Sequence, residues 1–234
     1  GRRQRVFCAS LADVFDNAVD PQWRDDLFEL IAATPNLDWL LLTKRIGNVG
    51  NMLPVPFDFD RHFPHVWIGT TIVNQAEADR DIPKLLDVPA RVRFLSMEPL
   101  LGPVDINPWL QQKFFHGGRA LNGRAMMRSH PTERLDWVIV GGESGPRARP
   151  MHPDWARSLR DQCKAAGVPF LFKQWGDWAK AGATPFHAYA ISPTGAKRPC
   201  EGTHAMCEAL MVKVGKKAAG RTLDGRTWDG MPQP

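Results

Sequence analysis

The sequence predicts an α/β protein, a partial (β/α) TIM-like barrel of mainly parallel strands with a loop-rich C-terminal extension. Three observations carry this. Short apolar runs without polar alternation recur along the chain, as in Trp137-Val138-Ile139-Val140, which suits strands covered on both faces. Segments with apolar residues at helical spacing separate these runs, and alternating strands and helices imply a parallel sheet. Each run ends in polar or charged residues, and in a barrel such ends meet at one mouth. The expected division is a barrel-like domain over residues 1–178 and a basic extension over 179–234 packed on it.

The first strand is expected at Arg5-Val6-Phe7-Cys8-Ala9, ending at Ser10 and Asp13. Asp20-Pro21 then opens a helix, with Asp20 as N-cap and proline at the first helical position. Trp23, Leu27, Leu30 and Ile31 would form its sheet-covering face, and Thr34-Pro35 stops it. The second strand, Leu37 to Leu42, ends at Thr43-Lys44-Arg45, and a weak helix through Val49 to Met52 precedes the prolines at 54 and 56. The third, His65 to Gly69, ends at Thr70-Thr71. Asn74 with Glu77 three residues on resembles a capping box for the next helix, in which Leu85 and Leu86 pack.

The fourth strand, Arg91 to Leu95, finishes at Ser96-Met97-Glu98-Pro99. A basic, glycine-containing excursion follows from Gln111 to Arg134, holding Lys113, Arg119, Arg124 and Arg128; it is either a solvated loop or a clamp for phosphate groups. The fifth strand runs into Gly141-Gly142-Glu143-Ser144-Gly145-Pro146. Glycine lets the backbone turn sharply or approach a ligand closely, and a carboxylate just past a buried strand is rigidly held. The bland alternative is a turn in which Glu143 pairs with Arg147. The next helix begins near His152-Pro153-Asp154, buries Trp155, Leu159 and Cys163, and stops at Gly167. The sixth strand, Val168 to Phe172, ends at Lys173-Gln174-Trp175-Gly176, with Pro169 acceptable only at its start.

Beyond Ala179, Gly182, Pro185, Pro193, Gly195 and Pro199 read as loops. Gly215-Lys216-Lys217 lacks the upstream glycine spacing and the following hydroxyl of a phosphate loop, so a tail packing through Leu223 and Trp228 is expected instead. Cys200, His204 and Cys207 lie close together, but no fourth ligand is nearby and no metal site is assigned.

Composition bounds the remaining classes. A chain of 234 residues with 43% hydrophobic and 24% charged residues has room for one substantial core. No apolar run approaches the roughly 20 residues of a membrane helix, and no signal-peptide pattern opens the chain. Four cysteines do not suggest a disulfide scaffold, so a reducing cytoplasm is the expected setting. The formal charge of +5 favours an anionic partner, either a substrate or a nucleic acid. The start at Gly1-Arg2-Arg3 without methionine is expected of a trimmed or partial chain. In that case the strand at Arg5–Ala9 would be a sheet edge, exposed or covered by a partner or the tail.

Strand order alone would bring Ser10, Asp13, Thr43, Lys44, Thr70, Ser96, Glu98, Glu143 and Lys173 to one mouth. Two chemistries follow without any further assumption. Glu98 and Glu143 as a carboxylate pair would suit a hydrolase, and Lys44 or Lys173 would otherwise neutralise them as interior ion pairs. A non-catalytic nucleic-acid-binding protein, using the excursion and tail, is the other class.

A set of segments carries a resemblance. It comprises Phe7-Cys8-Ala9-Ser10-Leu11-Ala12-Asp13-Val14-Phe15, Leu42-Thr43-Lys44-Arg45, Val66-Trp67-Ile68-Gly69 and Ser96-Met97-Glu98-Pro99-Leu100. It continues with Val140-Gly141-Gly142-Glu143-Ser144-Gly145, Arg149-Pro150-Met151, Phe172-Lys173-Gln174-Trp175-Gly176, and the tail from Gly215 to Arg226. In this order they resemble a bacterial and phage family of unknown function, often labelled the phage Gp-thirty-seven/Gp-sixty-eight family. That family is similar to radical S-adenosylmethionine (SAM) enzymes, whose three closely spaced cysteines hold a [4Fe-4S] cluster upstream of the first strand. Cys8, Cys163, Cys200 and Cys207 do not reproduce that trio, so the cluster ligands are absent from this chain. The resemblance implies a radical-SAM-like barrel and an enzyme using SAM and a cluster. It implies cofactor contacts at Ser10, Asp13, Thr70 and Asn74, and catalytic roles for Glu98, Glu143 and Lys173. Substrate contacts would come from Thr43, Lys44, Ser96, Ser144, Arg147 and Gln174.

Overall fold

A computed structural model describes residues 3–8, 12–111, 119–121, 124–126, 134–181, 188–200 and 209–233. Ser10, Lys113, Arg128, His204 and Cys207 lie outside the described residues.

The six expected strands all form, and all pair in parallel. They are β1 (Gln4–Cys8), β2 (Leu37–Thr43), β3 (Val66–Thr71), β4 (Val92–Met97), then, after the short hairpin β5 (Arg119–Leu121) and β6 (Arg124–Met126) of the basic excursion, β7 (Trp137–Gly141) and β8 (Phe170–Gln174). Their order in the sheet is β1-β2-β3-β4-β7-β8, the order of the chain. The sheet curls into a half-barrel. Its inner face holds Leu40, Trp67, Val92, Phe94, Trp137 and Ile139. The curl brings strands that are not neighbours into contact: Trp67 of β3 meets Trp137 of β7 edge-on at 6.0 Å, and Arg5 of β1 lies 5.3 Å over the Trp67 ring. Gly69 leaves the space for the Phe94 ring, which a Cβ would meet at 2.3 Å. Every residue of β3, β4 and β7 is buried, so their sequences show no polar alternation.

The outer face carries the helices α1 (Pro21–Ala33), α2 (Ile46–Met52), α3 (Phe59–His62), α4 (Gln75–Asp87), α5 (Asn107–Leu110) and α6 (Pro153–Ala166), over the larger core. The caps are those the sequence implies. Asp20 accepts from the Gln22 amide, and Asn74 accepts from the Glu77 amide while the Glu77 carboxylate accepts from the Val73 amide. His152 Nδ1 accepts from the Asp154 amide, and Gly167 closes α6 in the left-handed region at φ 66°.

The buried face of α1 differs from expectation. Arg24, Phe28 and Ile31 face the core, whereas Trp23 is 69% and Leu30 51% exposed. The deciding partner is Phe28, which packs edge-on against Phe59 and Phe63. One residue is about 100° of rotation, enough to exchange one face for its neighbour.

The region expected to be loop-rich carries a four-stranded antiparallel sheet, ordered β11-β10-β12-β9. Its strands are β9 (Trp178–Lys180), β10 (Tyr189–Ile191), β11 (Lys197–Pro199) and β12 (Ala209–Lys213). The division expected at 178/179 therefore falls inside β9. After the short helix α7 (Lys216–Ala219), the tail returns to the half-barrel. Leu223 is fully buried, and Asp224 binds Arg157 and Arg160 of α6. The tail then runs antiparallel to β8, with an Asp229–Leu171 bridge, Phe172 N donating to Trp228 O (2.9 Å) and Gly230 N to Phe170 O (3.0 Å). Thus β1 and β8 end the sheet, and among the described residues the tail's backbone pairing is with β8. No helix among the described residues is long and apolar enough to cross a membrane.

Candidate functional site

A cavity of about 680 Å³ opens at the carboxyl-terminal end of the half-barrel. Its polar lining comes from four strand ends: Lys44 after β2, Thr71 of β3, Ser96 and Glu98 at β4, and Lys173 of β8. Phe7, Leu42, Ile139 and Leu171 form apolar walls, and the tail adds Arg221 and Asp229. Side chains alternate across a strand, so Thr71 shares a face with Trp67 and Gly69 while Thr70 takes the opposite one.

Glu98 is the best-anchored polar group of this cavity. Lys173 Nζ donates to Oε2 and Gln174 Nε2 to Oε1, each at 2.7 Å. The ion pair weighed from the sequence thus forms between Lys173 and Glu98, with the Glu98 side chain largely shielded and that of Lys173 exposed. Gly141 makes room for it, because a Cβ there would stand 2.9 Å from Glu98 Oε1. The peptide bond from Glu98 to Pro99 is cis.

Glu143 belongs to a different arrangement at the same end. The Arg149 backbone amide, Nε and Nη2 all donate to its carboxylate, at 2.7, 2.8 and 2.8 Å. These bonds hold the Glu143 carboxyl below the usual carboxylate range, against a smaller opposing effect of burial. Its partner is Arg149, not Arg147. The loop carrying it is fixed by backbone packing: a Cβ on Gly142 would lie 2.0 Å from Trp175 O, and one on Gly176 would lie 2.0 Å from Glu143 O. Asp177 accepts from the Gly145 amide, and Lys213 Nζ donates to the Gly145 and Pro146 carbonyls. Ser144 and Arg147 are exposed on this loop and do not line the cavity.

Asp13 acts as a clasp between the segment after β1 and the end of β2. It accepts from Thr43 Oγ1 (2.7 Å), the Lys44 amide (2.8 Å) and the Phe15 amide (3.0 Å). Thr43 is buried in this clasp, and Thr70 Oγ1 donates to the Thr43 carbonyl at 3.2 Å. Asn74 is occupied as the cap of α4. The structure therefore gathers Lys44, Ser96, Glu98 and Lys173 in one cavity, with Gln174 bonded behind Glu98. Asp13 and Thr43 support that cavity through the backbone of Lys44, while Thr70, Asn74, Glu143, Ser144 and Arg147 stand apart from it.

Comparison with known proteins places this arrangement in a family. A family model of a protein of unknown function, DUF5131, matches residues 1–232. The chain belongs to the DUF5131 family. No curated protein and no solved structure matches it.

In this DUF5131 chain, no group of three His, Cys, Asp or Glu residues among those described is placed to hold a metal ion. Cys163 is buried in the α6 core, where burial pushes its thiol up to about 12. Thr71, Arg221 and Asp229 of the cavity were not singled out from the sequence. Thr71 required the side-chain parity of β3. Arg221 and Asp229 required the tail's path, which no local pattern encodes.

Proposed function

We propose that this DUF5131 protein is the barrel portion of a radical-SAM-like enzyme whose cofactor and substrate meet in the mouth cavity. The observation that supports this most is the convergence of Lys44, Ser96, Glu98 and Lys173 from three strands of the parallel sheet, β2, β4 and β8, on one cavity of about 680 Å³. That size lies within the roughly 300–1,000 Å³ usual for small-molecule sites. The donor set suits SAM: the fixed Glu98 carboxylate for its ammonium group, and the Ser96 and Thr71 hydroxyls for its ribose. The chain's own part is to bind and orient both molecules; reductive cleavage of SAM to a radical would need a one-electron donor that the described residues do not hold. The iron–sulfur cluster does not fit the described residues, which offer no cysteine trio.

The hydrolase alternative is poorly supported. Glu143 is held ionised by Arg149 and does not line the cavity, so it is ill suited to act as a general acid. The nucleic-acid alternative is weakened at Lys213, whose ammonium group is bonded to loop carbonyls.

Calorimetric titration with SAM tests the proposal. Saturable binding is expected, weakened at least about tenfold by Glu98→Gln, the loss of one charge-assisted contact. Absence of binding, or equal binding by the variant, would overturn it.

A further inference from the structure

The cavity's charges are unevenly committed. Among its described lining residues are three cations, Lys44, Lys173 and Arg221, and two carboxylates, Glu98 and Asp229. Lys173 is taken by Glu98, which is also bonded to Gln174. Arg221 is paired with Asp229, but those side chains are 49% and 57% exposed, and an ion pair so open to water is weak. The Lys44 backbone is fixed by Asp13, while its side chain has no hydrogen-bond or ion-pair partner among the described residues. Beside these groups stand the apolar walls of Phe7, Leu42, Ile139 and Leu171.

The position of Arg221 is not incidental. Trp175 N donates to Gly220 O at 3.1 Å and Trp175 Nε1 to Thr222 O at 2.8 Å, so both neighbours of Arg221 are fastened to the residue that follows β8. Asp229 is fastened through the tail's pairing with β8, and the Trp137 indole donates to Gly230 O at 2.8 Å. The backbone on both sides of the ion pair is therefore anchored, while the ion pair itself is readily exchanged.

We infer that the mouth cavity takes a small organic anion with an apolar body. Its carboxylate or phosphate group is held by Lys44 and by Arg221, which leaves Asp229 to do so. The body lies against Phe7, Leu42, Ile139 and Leu171. This rests on the mouth being the substrate site, and it makes Arg221 a specificity-determining residue supplied by the tail.

Ligand-observed NMR titration with phenylbutyrate, phenyl phosphate and the neutral phenylbutanamide tests it. The two anions bind, the amide binds at least about tenfold more weakly, and the tighter anion identifies the head group. Arg221→Gln and Lys44→Met weaken phenylbutyrate but not the amide. Asp229→Asn, which removes the competing carboxylate, binds phenylbutyrate more tightly than the unaltered protein, a gain that misfolding cannot produce. Equal affinity for acid and amide, no binding of either anion, or no response to Arg221→Gln would overturn the inference. Binding of SAM with failure of the anions removes the anion site alone. The reverse removes the cofactor class and leaves the anion site standing.

Discussion

Gly141 lies directly beneath the carboxylate of Glu98: a Cβ on the glycine would stand 2.9 Å from Oε1 and 3.0 Å from Cδ. The residue next to it, Gly142, is pressed against the carbonyl of Trp175 instead. The two adjacent glycines therefore have different obligations, one to a side chain and one to the backbone.

Gly141→Ala displaces the Glu98 side chain while the fold survives, at a cost of about 1–3 kcal/mol. Gly142→Ala meets a backbone atom at 2.0 Å and costs more. Thermal melts should rank the two in that order. In SAM titrations, Gly141→Ala should resemble Glu98→Gln. A Gly142→Ala protein as stable as the original would refute this account of the loop.

The Glu143–Arg149 pair makes stability depend on pH in a defined direction. Arg149 holds the folded Glu143 carboxyl below its ordinary value, so the pair's contribution is complete above the unfolded pKa, near about 4.3. It is lost as pH falls through the lower folded pKa. Arg149 is 58% exposed, so the contribution is about 0.5–1 kcal/mol. Arg149→Ala should lower Tm by about 1–4 °C at neutral pH, and the gap should narrow progressively below about pH 4. A gap that widens on acidification would contradict the pairing.

Phe28→Ala should cost about 3–5 kcal/mol, because the ring is buried between Phe59 and Phe63. Trp23→Ser should stay within about 0.5 kcal/mol, as expected for an exposed position. Chemical denaturation of the two variants checks which face of α1 is buried.

Native Cys163 should resist a thiol reagent at pH 8, since its thiol is buried and its pKa is pushed up to about 12. Labelling followed by peptide mass mapping should find it modified only after denaturant is added. Rapid native labelling at Cys163 would show that α6 opens far more readily than its packing implies.

The sheet was legible in the sequence because burial on both faces leaves unbroken apolar runs, and the helix caps because Asp20, Asn74 and His152 stand directly before proline or acidic first turns. The small second sheet was not, because strands of three to five residues are too short for a period to emerge. For the site, chain order was enough to bring Lys44, Ser96, Glu98 and Lys173 together. It was not enough to choose Thr71 over Thr70, or Arg149 over Arg147, since those depend on parity and on how a loop folds back. Arg221 and Asp229 are separated from their cavity neighbours by long stretches of chain, and only the completed path of the tail brings them in.

That path bears on how the protein assembles. With the strands stacked in the order of synthesis, each can dock on its predecessor as it leaves the ribosome, and sequence separation between partners stays modest. The outer edge of β8 is the exception, because its partner is the segment around Asp229. Until that segment emerges, β8 carries an unsealed rim of backbone hydrogen-bonding groups, the kind of edge that recruits foreign strands. Emergence of the Asp229 segment and protection of the β8 edge against aggregation are thus coupled in a single closing step.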